Sequence, residues 1–175
     1  MTRDPTWLAS HLRDVPDFPT PGIVFKDLTP LLADVDAFRY SVDAIADHAA
    51  GLTIDKVVGV EARGFIFGAA VAYRLGAGFV PVRKPGKLPY RTVAETYDLE
   101  YGVDALEAHE DALVEGDAVL IVDDVLATGG TAAAACRLVE RLGGQVAGLA
   151  FVVELGFLGG RAKLVDHDIL SLITV

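Results

Sequence analysis

The residues best suited to chemistry in this 175-residue chain lie between Val119 and Thr131. An apolar run, Val119-Leu120-Ile121-Val122, leads into two adjacent carboxylates, Asp123 and Asp124. Val125, Leu126 and Ala127 follow, then a Thr128-Gly129-Gly130-Thr131 turn. In open α/β sheets, ligands bind beyond the carboxyl ends of the strands. Gly129 and Gly130 let backbone amides come close to an anion, and the N-terminus of a following helix adds positive potential. Thr128 and Thr131 supply hydroxyl donors. Such a pocket suits a phosphate monoester. Two acids beside it would repel phosphate unless they face hydroxyls, and a carboxylate accepts well from the vicinal hydroxyls of a sugar. The stretch reads as a grip for a ribose 5-phosphate.

A second constellation is cationic. Arg83, Lys84, Lys87 and Arg91 fall in one Pro- and Gly-rich loop (Pro85, Gly86, Pro89) with no acid among them. From Glu95 to Asp117 the chain then carries nine acids and no Lys or Arg. Charge runs are usually solvated surface, but this basic one directly follows an apolar strand signal. Other phosphate motifs do not fit. The only Gly-Lys pair, Gly86-Lys87, lacks the earlier glycine and the Ser or Thr of a P-loop. Gly76-x-Gly78 has Pro81 where the third glycine of a dinucleotide fingerprint belongs, and it precedes a strand. A phospho-acceptor receiver domain also carries an Asp pair after a strand, but near its N-terminus rather than at position 123.

These residues need elements to hold them. Alternating strand and helix signals predict an α/β fold with a largely parallel sheet. Short helical spacing covers Pro5 to Arg13, and the proline-rich stretch Asp14 to Pro30 reads as mostly irregular. Phe38, Val42, Ile45 and Ala49 recur at helical spacing, with Asp36 as the cap. Lys56 to Val60, Phe79 to Val82, Ala118 to Val122 and Val146 to Val153 read as buried strands, and Ile169 to Val175 as an edge strand. Phe65 to Leu75 and about Gly130 to Leu142 read as helices stopped by glycines. Tyr97, Leu99, Tyr101 and Val103 alternate with polar residues, as in one strand with a wet face.

Composition narrows the partners. Fifteen Lys+Arg against 25 Asp+Glu give a net charge of −10, which repels nucleic acid. With 52% hydrophobic and 23% charged residues, one folded domain over 1–175 is expected. Cys136 is the single cysteine, so no internal disulfide and no cysteine-rich zinc site are possible. His11, His48, His109 and His167 share no ligand spacing. Arg3, Asp4 and Pro5 interrupt any secretory core. No apolar run approaches the roughly 20 residues of a membrane helix. A cytoplasmic protein that binds neither membrane nor nucleic acid is the expectation.

Asp123 to Thr131 resembles the 5-phosphoribosyl 1-diphosphate (PRPP) motif of the type I phosphoribosyltransferases. Four further segments, in this order, are similar to the adenine phosphoribosyltransferases: Phe18 to Leu32, Glu61-Ala62-Arg63-Gly64-Phe65-Ile66-Phe67-Gly68, Arg83 to Pro89, and Leu99-Glu100-Tyr101-Gly102. The resemblance implies a mostly parallel central sheet flanked by helices, a small hood from residues 1–35, and a mobile lid loop and hairpin over residues 83–103. It implies transfer of the 5-phosphoribosyl group of PRPP to N9 of adenine, giving AMP and diphosphate. Ala127, Thr128, Gly129, Gly130 and Thr131 would hold the 5-phosphate, and Asp123 and Asp124 the ribose hydroxyls. Arg63, Arg83, Lys84 and Lys87 would meet the diphosphate, with Arg91 on the same lid. Val24, Phe25 and Lys26 would form the base pocket, where many relatives have Arg in place of Lys26, with Leu126 and Leu155 as apolar walls. Glu100, with Tyr101 beside it, would handle the proton at the base. Mg²⁺ would be held chiefly by diphosphate and ribose oxygens, with Asp123 or Asp124 nearby. A homodimer is implied. The alternatives are transfer to another purine such as xanthine, and a non-catalytic PRPP-sensing regulator of the same fold. In the 6-oxopurine branch the motif carries a third carboxylate where this chain has Ala127, which implies a preference for adenine.

Overall fold

The computed structural model describes residues 5–99 and 102–175. Its centre is a five-stranded, wholly parallel sheet. In chain order the strands are β3 (Lys56–Val60), β4 (Gly78–Val82), β7 (Ala118–Leu126), β8 (Gln145–Glu154) and β9 (Ile169–Thr174), and in space they run β4-β3-β7-β8-β9. The buried apolar runs of the sequence become these strands because helices cover both faces. Alternation splits each strand between two cores. Val58, Ile121 and Phe151 pack on the side of α5 (Gly130–Arg141). Val57, Leu120 and Val152 pack with α3 (Val35–His48) and α4 (Gly64–Leu75) on the other.

Close approach makes the α4 packing possible. A Cβ on Gly68 would lie 3.1 Å from the Gly59 Cα, so glycine lets this helix settle tightly onto β3. No helix of the described residues is long and apolar enough to cross a membrane.

Chain order places the cleft. From β3 the chain steps outward to β4, and later returns through β7 to the other side of β3. Strand order therefore reverses between β3 and β7, where the crevice of an open parallel sheet opens. The segments after β3, β7 and β8 all emerge at that end.

Three local expectations change. Asp14 to Pro30 is not mostly irregular: β1 (Arg13–Pro16) and β2 (Val24–Asp27) form an antiparallel pair with Asp14 opposite Lys26. Prolines 16, 19 and 21 sit at the end of β1 and in its turn, where a missing N–H costs little. The cap of α3 is Asp34 rather than Asp36. Its carboxylate accepts from the Asp36 and Ala37 amides at 3.0 and 2.8 Å. The alternating residues Tyr97 and Val103 do not share a strand. They fall on β5 (Thr92–Leu99) and β6 (Gly102–His109), paired antiparallel up to Leu99 opposite Gly102. The short helix α1 (Pro5–Ala9) and α2 (Thr29–Ala33) complete the chain.

Candidate active site

The turn after β7 forms a cleft of about 80 Å³ lined by Asp123, Leu126 and every residue from Ala127 to Thr131. Gly129 caps α5 with φ +78°, a left-handed backbone that disfavours any side chain. The two carboxylates diverge because neighbours on a strand face opposite ways. Asp124, 7% exposed, accepts from Arg63 Nε. Arg63 comes from the end of β3, so this pair spans the crevice between β3 and β7. Its guanidinium also lies 5.5 Å from the Phe25 ring centroid, which carries the cationic chain on to the N-terminal hairpin.

Asp123 faces α4. A Cβ on Gly64 would come within 2.6 Å of its Oδ1, which accepts from the Asp124 amide at 2.8 Å. Burial disfavours its charged form and the Asp124 carboxylate repels it, so the Asp123 carboxyl lies well above its ordinary value of 3.8. An acid whose pKa folding raises gives its full stability below the ordinary value and loses it as pH rises through the higher one. Asp123→Asn keeps an oxygen for the Asp124 amide and removes that loss. Thermal unfolding of the ligand-free protein will therefore show a higher Tm for Asp123→Asn at about pH 7, with the gain shrinking as the pH falls towards 4. An Asn variant no more stable at neutral pH contradicts this reading.

The basic loop after β4 is drawn in by acids from elsewhere in the chain. Arg83 Nε lies 3.1 Å from Glu61 Oε2, and the Lys84 amide donates to the same carboxylate at 3.0 Å. That amide bond, then the Arg83 pair, holds the Glu61 carboxyl below its usual range despite partial burial. Lys84 Nζ donates to Tyr97 Oη at 2.7 Å and pairs with Asp104. Burial would lower the pKa of Lys84, but those partners raise it overall. Arg91 lies 3.7 Å from Glu110. Lys87 is exposed and makes no ion pair among the described residues. The loop thus hangs from β3 through Glu61 and from the β5–β6 hairpin through Asp104.

Of the expected base pocket, Phe25 is half-buried, edge-on to Phe18 at 5.3 Å, and borders a shallow hollow with Val15 and Asp27. Val24 is exposed, and Lys26 Nζ lies 2.7 Å from Asp14 Oδ1 across the hairpin. Leu126 is fully buried, and its carbonyl accepts from the Leu155 amide at 2.9 Å. Arg63, Phe25, Asp123, Asp124 and the 127–131 turn are therefore brought to one end of the sheet, with Leu155 beside them. Glu100 and Tyr101 lie outside the described residues. Glu61, Tyr97 and Asp104 were not among the expected site residues, although Glu61 opens one of the family-like segments and Tyr97 belongs to the alternating run. Their importance appears only when β3, β4 and the hairpin meet.

Among the described residues no group of three or more His, Cys, Asp or Glu side chains is arranged to hold a metal ion. Asp123 lines the cleft and is a carboxylate of the kind that takes one position on Mg²⁺ beside phosphate and water oxygens, whereas Asp124 is already paired with Arg63.

Residues 30–173 match the family described as Phosphoribosyl transferase domain. The chain is 61% identical over 166 residues to an adenine phosphoribosyltransferase of Acidobacterium capsulatum, covering 95% of this chain and 92% of that one. It superposes with a TM-score of 0.95 on the crystal structure of adenine phosphoribosyltransferase from Thermoanaerobacter pseudethanolicus, at 54% identity and covering 98% and 100% of the two chains. The TM-score is 0.91 and the identity 44% against the Saccharomyces cerevisiae enzyme, solved with an imino-altritol bisphosphate and adenine, with 96% and 97% covered.

Proposed function

The chain belongs to the phosphoribosyl transferase family, and from that premise we propose how its residues divide the reaction. It is a phosphoribosyltransferase that uses PRPP and adenine to make AMP, a step of purine salvage. The C1–O bond to diphosphate breaks, the N9–C1 bond forms, and the N9 proton leaves the base.

The turn from Ala127 to Thr131 holds the 5-phosphate on backbone amides and the N-terminus of α5. Asp123 and Asp124 accept from the ribose hydroxyls. Arg63, already at the crevice, meets the diphosphate as negative charge grows on it. Asp123 or Asp124 would stand beside Mg²⁺ brought in by PRPP, and the ion would supply neutralisation of the diphosphate charge. Phe25 stacks on the adenine, with Val24 and Lys26 at its edge and Leu126 and Leu155 as walls. Glu100, with Tyr101, takes the base proton. Arg83, Lys84 and Lys87 close over the diphosphate and keep water from the ribosyl centre, which would otherwise hydrolyse. A homodimer in the cytoplasm belongs to the same reading and is carried from the family resemblance.

The observation that supports this division best is the Arg63–Asp124 pair across the crevice, beside the 127–131 turn. Purified protein given PRPP, Mg²⁺ and adenine is expected to release AMP and diphosphate in equal amounts. Failure to form AMP would sink the reading.

The lid can be followed separately. Residues 84–96 will exchange amide hydrogens more slowly with PRPP and Mg²⁺ than without, because the cations then have a polyanion to order them. Identical exchange at saturating PRPP counts against closure of this loop.

A further inference from the structure

One ion pair beside the cleft has no part in the steps above. Glu154 ends β8 and is 7% exposed. Both its carboxylate oxygens lie 2.9 Å from Arg161 Nε. The other two nitrogens of Arg161 reach β9, donating to the Ile169 carbonyl and the Ser171 hydroxyl at 3.3 Å each. Burying a carboxylate is costly, and an apolar pair of similar volume often serves stability as well. What the ion pair adds is geometry: a planar fork that fastens the residue after Gly160 to the end of β8 and the first half of β9.

Gly160 touches the cradle. It is buried, and a Cβ on it would lie 3.0 Å from the Gly129 nitrogen and 3.1 Å from Leu126 Cδ1, and would overlap the Ala127 carbonyl oxygen. Conversely, a Cβ on Gly129 would lie 3.1 and 3.2 Å from the Gly160 carbonyl carbon and Cα. The two backbones meet with no side chain between them. In a close-packed interior such a contact transmits displacement rather than absorbing it. A shift of Arg161 moves Gly160, and Gly160 moves the turn from Ala127 to Gly130.

We propose that the Glu154–Arg161 pair braces Gly160 against the 127–130 backbone and so sets the fit of that turn to the 5-phosphate of PRPP. Glu154 and Arg161 are positioning residues, since neither lines the cleft. The proposal rests on the reading that this turn holds the 5-phosphate, and small misplacements of a binding group cost disproportionately.

The test compares KM for PRPP and for adenine in the full-length wild type, Arg161→Gln, Glu154→Gln, the double variant, Arg161→Lys and Thr131→Ala. Arg161→Gln and Glu154→Gln should each raise KM for PRPP about tenfold, with KM for adenine and kcat changing less than about twofold. The double variant should be no worse than either single one, because the pair acts as a unit. Arg161→Lys, which keeps the charge without the fork, should fall between. A merely structural pair would lower Tm and leave KM for PRPP alone, and that result overturns the proposal. If Thr131→Ala raises KM for PRPP and folded Arg161→Gln does not, the brace is wrong and the phosphate cradle stands. If neither does, the cradle reading fails and the brace with it. Should Arg161→Gln not fold, an unchanged KM for PRPP in Arg161→Lys and Glu154→Gln overturns the proposal equally.

Discussion

Replacing Asp123 and Asp124 together with Asn lowers kcat/KM for PRPP by about 10²–10³-fold, or about 3–4 kcal/mol of transition-state stabilisation. Two losses combine. The ribose hydroxyls lose charged acceptors, and hydrogen bonds to charged groups contribute about 1.5–3 kcal/mol. Arg63 loses the carboxylate that accepts from its Nε, and with it the anchor that holds the guanidinium between β3 and β7 and over Phe25. The fold itself should survive. Asn retains an acceptor for the Asp124 amide, and relief of the Asp123 charge works in favour of stability. The comparison is made by steady-state kinetics on protein shown to be folded by circular dichroism and thermal unfolding. A folded double variant with wild-type kinetics rules out the ribose grip.

The strand, turn and helix that would form this grip were legible in the sequence because their parts are consecutive. A buried parallel strand, an acid pair, a Thr-Gly-Gly-Thr turn and a helix each carry local signals, and the chain order alone places them at a sheet end. The lid's attachment is different. Arg83 and Lys84 looked free of acidic partners because the partners come from elsewhere: Glu61 from the end of β3 and Asp104 from β6. The N-terminal hairpin was obscured by its own prolines, since a two-stranded ribbon tolerates them where a central strand would not. The strand alternation through Tyr97 and Val103 ran from β5 into β6 because the acidic residues there read equally well as a wet face. Asp34 caps α3 from two residues before the Asp36 that the spacing suggested. It is the residue whose extended backbone lets its carboxylate reach back to the first amides. The brace at Glu154 and Arg161 depends on a contact between Gly129 and Gly160, residues far apart in sequence, with no side-chain signal at either.

The choice of base follows from what the site lacks. Ala127 lines the cleft where the 6-oxopurine relatives resembled by this motif carry a carboxylate, and alanine can neither donate to nor accept from N7. The turn from Ala127 to Thr131 carries no carboxylate for that position. On the proposed reading, the other edge of the base falls to β2. Among the described residues β2 pairs only with β1, so the opposite edge of Val24–Lys26 turns backbone groups outward, where a carbonyl can meet a purine. A 6-amino group presents donors, which those carbonyls can accept. A 6-oxo group in the same place sets acceptor against acceptor and leaves buried polar groups unpaired. Lys26, the cation on β2, is turned to Asp14 at 2.7 Å, and Arg63, whose guanidinium lies by Phe25, donates its Nε to Asp124. Sites built for one hydrogen-bonding pattern reject the mismatched analogue by about 10⁴-fold or more. Adenine is therefore expected to exceed hypoxanthine and guanine in kcat/KM by that order, measured with PRPP and Mg²⁺ at saturation and each base varied in turn. Comparable values for adenine and hypoxanthine would refute the pocket assignment, because the 6-position of the base would then not be read by a carbonyl of β2.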